Sequence, residues 1–269
     1  PFGTERFQEN TGLRCIRRQL DNGNTLYFIV NRSDHAFRNW IKPTASGTHA
    51  ILRDAWTGEV GTARLTARGL KLHLESQQSV FVEISPTEPT GPHWSGVTLS
   101  QGNPEPLTKP WTVSFIAGGP SLPKPLVRKT LASITEFGDP ELQRFGGTIR
   151  YETTFDRPAS ADKGVWLDLG EVRHSARVFM NNHELGVLIQ KPYRIAVPTD
   201  LLRAKRNKLV VEVTTLAVNR IRDLDCRGVM WKKFQDINFV DDLYRPFDAS
   251  SWPIEPAGLL GPVGLSIRS

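Results

Sequence analysis

Apolar and polar residues alternate along much of this chain, and the alternation has the two-residue period of a β-strand. In "LKLHLE" (70–75), every second residue is leucine and the residues between are charged or histidine, which indicates a strand with one buried face. Short runs of this kind recur at close intervals, bounded by turn-forming residues. The predicted strands cover residues 24–33, 49–55, 63–67, 70–75, 79–85, 110–116, 147–155, 164–170, 175–181, 184–189, 193–198, 207–215 and 264–269.

A stretch rich in Pro and Gly, residues 89–106, separates two groups of predicted strands. Its prolines disfavour both a helix and a central strand, so we expect a linker there. Trp94 within it is expected to pack against one of the flanking domains, because an indole ring is costly to expose. The pattern predicts an all-β protein with two β-sandwich domains: residues 1–88 form a small antiparallel β-sandwich and residues 107–269 a sandwich or jelly roll. One modest helix is predicted, over residues 128–137.

A polar triplet, Asn181-Asn182-His183, lies between two of the predicted strands. Asn tolerates the left-handed backbone that a two-residue hairpin requires, so the triplet predicts a tight turn with His183 exposed at its tip. A ligand contact at this triplet is the less favoured alternative.

Composition excludes several classes of protein. The chain has 269 residues and a formal net charge of +6, but its 34 basic residues are scattered among 28 acidic ones. No basic helix or nucleic-acid-binding motif is present, and we therefore predict no nucleic-acid partner. No apolar run reaches the length of a membrane span, so no membrane partner is predicted. The opening residues "PFGTERFQENTG" include no start methionine, which leads us to expect a fragment of a longer protein.

Familiar active-site motifs are absent from the sequence. There is no GxSxG, HExxH or P-loop pattern, and neither the six histidines nor the two cysteines have metal-ligand spacing. A Ser-His-Asp triad assembled in space is a disfavoured alternative.

The least ordinary segment is residues 223–256, "DLDCRGVMWKKFQDINFVDDLYRPFDASSWPIEP". A connection this long is usually functional or mobile. It mixes acids with aromatic residues, and carbohydrate sites use aromatic faces against the C–H side of a sugar and carboxylates for its hydroxyls. The predicted carbohydrate-binding residues are Asp223, Trp231, Asp241, Asp242, Tyr244 and Trp252. The competing interpretation, which we favour slightly, is that the aromatic side chains form the segment's own core and its contact with a further domain.

Four stretches of the second half resemble the sugar-binding, galactose-binding-like jelly roll that accompanies glycoside hydrolases. They are "GTIRYETTF", "VWLDLGEVRHSARVFMNNHELGVLIQKPYRIAVP", "NKLVVEVTTLAVNRIRD" and "GLLGPVGLSIR". In the first half, "YFIVNRS", "DAWTGEV" and "LHLESQQSVFVEI" resemble the β domain that follows the catalytic barrel of family 106 glycoside hydrolases, the α-L-rhamnosidases. The resemblance runs from about residue 14 to the end, with Asn-Asn at the turn where Asn-Gly is commoner.

The resemblance implies an accessory, carbohydrate-binding role within a glycoside hydrolase. Catalytic carboxylates are expected on the barrel, which these residues do not include, so the catalytic residues stay unknown. The alternative is a self-contained glycosidase that uses carboxylates of the jelly roll or of residues 223–256. The implied partners are a carbohydrate, such as a rhamnose-containing polysaccharide, and the missing catalytic domain. No cofactor is predicted; the resemblance allows a structural calcium and leaves the metal content open. A secreted or periplasmic location follows if the parent is a polysaccharide-degrading bacterial enzyme.

Overall fold

The computed structural model of the protein describes residues 4–94, 104–159, 161, 164–233, 240 and 243–267. The chain divides into two compact units, Pro1–Gln101 and Gly102–Ser269, and each contains its own hydrophobic core. Both units are built from antiparallel sheets, which confirms the predicted all-β sandwich fold. No helix among the described residues is long and apolar enough to cross a membrane.

The first unit packs a five-stranded sheet and a two-stranded sheet around one core. Its strands are β1 Leu13–Gln19, β2 Thr25–Asn31, β3 Phe37–Ile41, β4 His49–Arg53, β5 Val60–Arg64, β6 Leu70–Leu74 and β7 Ser79–Ser85. The large sheet has the order β1-β2-β7-β4-β5, and β3 pairs with β6. The three leucines of β6 are at most 2% exposed and join the same cluster as Tyr27 and Ile29 of β2. The period-2 pattern therefore identified the buried face of this strand correctly.

The second unit contains one large core between its main sheets. Its strands are β8 Glu105–Pro106, β9 Trp111–Gly119, β10 Leu126–Arg128, β11 Gly146–Phe155, β12 Val165–Asp168, β13 Glu171–Arg173, β14 Ser175–Met180, β15 His183–Leu188, β16 Arg194–Val197, β17 Asn207–Thr214, β18 Gly258–Gly261 and β19 Gly264–Ile267. The sheets have the orders β10-β9-β11-β17-β14-β15 and β16-β12-β19-β8, with β13 paired to β18. Side chains from both main sheets form a single buried cluster, as a jelly roll requires.

The prediction of a helix over residues 128–137 is wrong. Leu126–Arg128 forms the strand β10, which pairs with β9. The helical part of the segment is a single 3-10 turn, Ile134–Glu136. The Ser133 hydroxyl accepts the Thr135 N–H at 3.3 Å and so caps this turn. Instead, the short helix α1 spans Pro140–Gln143, and the helix α2, not predicted, spans Val218–Cys226. The remaining 3-10 turns are Arg6–Gln8 and Thr199–Leu201.

Of the predicted linker 89–106, residues 95–103 lie outside the described part of the chain. Trp94 is half-buried and packs against the core of the first unit, and its N–H donates to the Thr62 carbonyl at 2.7 Å. Trp94 therefore packs against a domain, as the sequence predicted.

The predicted hairpin turn is confirmed. Asn181 and Asn182 have φ of 51° and 70° and connect β14 to β15, whose end residues Met180 and His183 face each other. Asn181 is only 8% exposed: its Nδ2 donates to the Leu201 carbonyl at 2.7 Å and to Asn207 Oδ1 at 3.0 Å. His183 is exposed, as expected. The turn thus holds the sheet to the segment before β17.

One glycine in the second unit is required by a close approach. Gly258 has φ of +100°, and a Cβ there would lie 2.2 Å from the hydroxyl of Tyr151. Tyr151 is fully buried, and burial raises the pKa of its phenol. Position 258 therefore has no room for a side chain. Its positive φ is also one that residues other than glycine rarely adopt.

Candidate functional site

The segment predicted to bind carbohydrate, residues 223–256, comprises the last four residues of α2 and nearly all of the α2–β18 loop, which we define as residues 227–257. Asn219 of α2 is 4% exposed and ties the helix to the far end of this loop. Its Nδ2 donates to the Glu255 carbonyl at 2.7 Å, and its Oδ1 accepts the Glu255 N–H at 2.9 Å. The side-chain amide of Asn219 thus satisfies both the backbone N–H and the backbone carbonyl of Glu255. These bonds bring the loop back to α2 before β18 begins.

Asp225, at the end of α2, organises the beginning and the end of the α2–β18 loop. Its carboxylate is 5% exposed and accepts the indole N–H of Trp231 at 2.7 Å and the backbone N–H of Ala249 at 2.8 Å. Lys232 Nζ lies 3.1 Å from it. Burial would raise the pKa of Asp225, but the bonds from Ala249, Trp231 and Lys232 outweigh burial and lower it. Asp225 is therefore an ionised anchor for the loop.

Three aromatic rings of the loop pack edge to face. The Trp231 and Phe247 centroids are 6.1 Å apart at an interplanar angle of 86°, and those of Phe247 and Trp252 are 5.5 Å apart at 89°. Lys232 Nζ lies 5.6 Å and 5.4 Å from the centroids of Trp231 and Phe247, and donates to the Phe247 carbonyl at 2.6 Å. Edge-to-face pairs and a cation over the rings are favourable contacts. The loop thus has a small core of its own, with all three rings half-buried.

The predicted site residues are placed in different surroundings. Asp223 accepts from Arg227 at 2.6 Å and 3.0 Å and from Arg220 at 3.5 Å. Tyr244 is 80% exposed, with φ of 56°, close to the β-bridge between Val240 and Pro246. Trp231 and Trp252 belong to the aromatic cluster, and the predicted Asp241 and Asp242 lie outside the described residues. The structure therefore brings the two tryptophans into one cluster around Phe247, whereas Asp223 is engaged by arginines.

Sequence reasoning missed the structural roles of Asp225 and Asn219. Both belong to α2, whose apolar residues Val218, Ile221 and Leu224 recur every third position but over only nine residues, too short a run to stand out among the strands. The partners of Asp225 include Ala249, which is 24 residues away, and those of Asn219 include Glu255, 36 residues away. The sequence signal for this region was a long segment without prolines at its start. That signal does not reveal which of its carboxylates is buried.

The same helix lines a small cavity of about 130 Å³. Its lining residues are Pro140, Gln143, Arg144, Asn219, Arg222, Asp223 and Ile254. Arg144 directly follows α1, whereas Arg222 lies on α2 and donates through Nε to the Trp252 carbonyl at 2.6 Å. The cavity is therefore walled by both helices and the end of the α2–β18 loop.

The described parts of the chain show no cluster of metal-ligating side chains. Within those residues, no group of three or more His, Cys, Asp or Glu side chains could hold an ion.

Comparisons with known proteins point to glycoside hydrolases. No protein-family model matches the chain. Over 146 residues, 47% of the chain, it is 29% identical to a protein of Formosa agariphila named putative β-glucuronidase, and the match covers 12% of that protein. The chain thus spans a small part of the curated relative that it matches.

A solved rhamnosidase structure shares the fold. The chain is similar over 96% of its length to a rhamnosidase from Novosphingobium sp. PP1Y, with a TM-score of 0.66 and 24% identity, covering 24% of that protein. It is also similar over 43% of its length to a β-glucuronidase of Bifidobacterium dentium, with a TM-score of 0.36 and 23% identity, covering 21% of that protein. The similarity to the rhamnosidase extends through both units and shows that the arrangement of strands occurs as part of a longer enzyme.

Proposed function

We propose that this chain is an accessory, carbohydrate-binding region of a glycoside hydrolase resembling the α-L-rhamnosidases, and that the catalytic domain of that enzyme lies in another part of it. The proposal rests chiefly on the 29% identity with the putative β-glucuronidase, in which the matching part is 12% of the length. A segment that small in a glycosidase is suited to an accessory role.

Three acids in the described part of residues 223–256 support an accessory role rather than catalysis. Glycoside hydrolysis by an inverting or retaining pair needs one carboxylic acid that is still protonated when substrate arrives, and such acids have raised pKa values. The pKa of Asp225 is lowered, for the reasons given above, and hydrogen bonds from Ser250 lower that of Asp248. Asp223 is held by arginines. None of these three is placed to donate a proton to a leaving group.

The aromatic side chains support binding. Tyr244 is exposed to solvent in the same loop as the packed aromatic cluster, and exposed aromatic rings pack well on the C–H face of a pyranose. Trp231 and Trp252 keep part of their surface accessible. Rings fixed by neighbours lose little freedom when a ligand binds, which favours them as contact residues.

Retention on a rhamnose-containing polysaccharide in native affinity gels tests the binding role. The wild type should be retarded weakly, and Tyr244→Ala should reduce retardation several-fold without affecting folding, since the ring is 80% exposed. Trp231→Ala and Trp252→Ala should also reduce it, with folding checked by urea unfolding. His183→Ala is the matched control on another exposed loop. Retardation that persists in all three aromatic variants, or is lost only with His183, would show that the wrong loop was chosen.

A turnover assay separates the accessory role from the alternative of a self-contained glycosidase. The pure chain should release no chromophore from an aryl α-L-rhamnoside. Reproducible turnover that disappears in Asp223→Asn or Asp248→Asn would establish the alternative.

A further inference from the structure

The cavity beside α2 has an excess of positive charge. Two arginines, Arg144 and Arg222, and one carboxylate, that of Asp223, line it. Arg144 contacts Glu141 directly and lies 3.8 Å from Asp223, and Asp223 also pairs with Arg220 and Arg227. Both carboxylates are thus already neutralised, and the excess charge remains for a ligand.

One arginine of the cavity wall retains accessible hydrogen-bond donors, and a second adds positive charge. Arg222 uses its Nε for the Trp252 carbonyl, and its two terminal nitrogens have no partner in the described part of the chain. Arg144 Nε also has no partner among the described residues, but it is buried and does not face the cavity, so Arg144 contributes its positive charge. A guanidinium recognises planar, bidentate anions such as carboxylates best.

The other residues that line the cavity suit a sugar ring that carries the carboxylate. Pro140 and Ile254 provide an apolar surface, and Ile254 is 41% exposed. Gln143 donates to the Thr135 carbonyl at 3.3 Å, and its Oε1, which has no partner among the residues that the structure describes, can accept from a hydroxyl. At about 130 Å³ the cavity admits one sugar residue of a chain but not a whole oligosaccharide.

We propose that this cavity binds the carboxylate of an acidic saccharide, a uronate residue, through Arg144 and Arg222. The saccharide part of this inference rests on the proposed carbohydrate-binding function. The uronate carboxylate lies between the two guanidinium groups, and its ring packs on Ile254 and Pro140.

The test compares two polymers that differ only in charge: polygalacturonate and its methyl ester. In native affinity gels, polygalacturonate should retard the wild type at least about tenfold more strongly than the ester. Arg222→Gln should remove most of that difference. Arg144→Gln should do the same, so that the result does not depend on the folding of one variant, which circular dichroism checks.

Arg177→Gln is the matched control, because it removes the same charge from a side chain 54% exposed and outside the cavity. Equal weakening by Arg177→Gln would mean that the basic surface as a whole attracts the polymer, and equal retardation by the ester would mean that no carboxylate is recognised. Either result overturns the proposal. Competition then separates anion from saccharide: galacturonate should displace the polymer at a lower concentration than inorganic sulfate, and equal potency would refute the uronate assignment.

The outcome also separates this inference from the function on which it rests. Retardation by a neutral rhamnose-containing polysaccharide without preference for polygalacturonate over its ester would refute the uronate site alone. No retardation by any of the polymers would refute carbohydrate binding itself.

Discussion

The indole N–H of Trp231 donates to Asp225 at 2.7 Å, while the other oxygen of the same carboxylate accepts the N–H of Ala249. One buried carboxylate therefore joins the end of α2 to two points of the α2–β18 loop that are 18 residues apart in sequence. The stability of the loop should depend on this side chain more than on any ring of the aromatic cluster.

Asp225→Asn should destabilise the protein by about 2 kcal/mol, since it removes the charge that pairs with half-buried Lys232. Urea unfolding at neutral pH measures the change. Asp248→Asn is the control, because Asp248 is exposed and its amide analogue can still accept the Ser250 N–H; we expect a change within about 0.5 kcal/mol. Equal losses in the two variants would contradict the anchoring role of Asp225.

The contribution of Asp225 should disappear in acid. Because the folded-state pKa is lowered relative to that of the unfolded chain, stabilisation is complete above roughly pH 4–5 and is lost as the pH falls through the folded-state pKa. The difference in unfolding free energy between wild type and Asp225→Asn should therefore shrink between pH 5 and pH 2, as those titration limits imply. A constant difference over this range would indicate that charge is not involved.

Gly258→Ala should be strongly destabilising because a Cβ would lie 2.2 Å from the Tyr151 hydroxyl. We expect a loss of more than about 3 kcal/mol, combining backbone strain with the clash. Gly138→Ala is the control: it has a similar positive φ, +78°, and nothing within 4 Å, so it should show the strain alone. Adding Tyr151→Phe to Gly258→Ala should recover part of the loss. A double variant as unstable as the sum of the singles would show that the hydroxyl is not the obstacle.

Asn181→Gly should destabilise the protein, whereas Asn182→Gly should not. Glycine fits the left-handed backbone at both positions, but Asn181→Gly also loses the side-chain bonds to Leu201, Asn207 and Lys208. We expect Asn181→Gly to cost about 2 kcal/mol and Asn182→Gly to be neutral or slightly stabilising. Thermal unfolding of both variants tests this pair. Similar melting temperatures would mean that Asn181 serves only the turn.

The sequence predicted what depends on local pattern. The leucines of β6 and the Asn181-Asn182 turn obey rules that need only neighbouring residues, and both were predicted correctly. Residues 128–137 were wrongly predicted to be helical. The segment begins in β10, which pairs with β9, and continues into a 3-10 turn capped by Ser133. The helical interpretation considered neither contact. Asp225 could not be identified as an anchor, because its role depends on Ala249, which lies near only in the folded chain.

The bonds to Asp225 have a consequence for the thermodynamics of recognition. Trp231 and Lys232 already occupy fixed positions in the unliganded protein, so a ligand that touches this cluster does not have to restrict their rotamers on arrival. Conformational entropy lost at binding is among the main costs of weak protein–sugar association. Loosening the cluster by Asp225→Asn should therefore make binding entropically less favourable even where every contact to the ligand is retained.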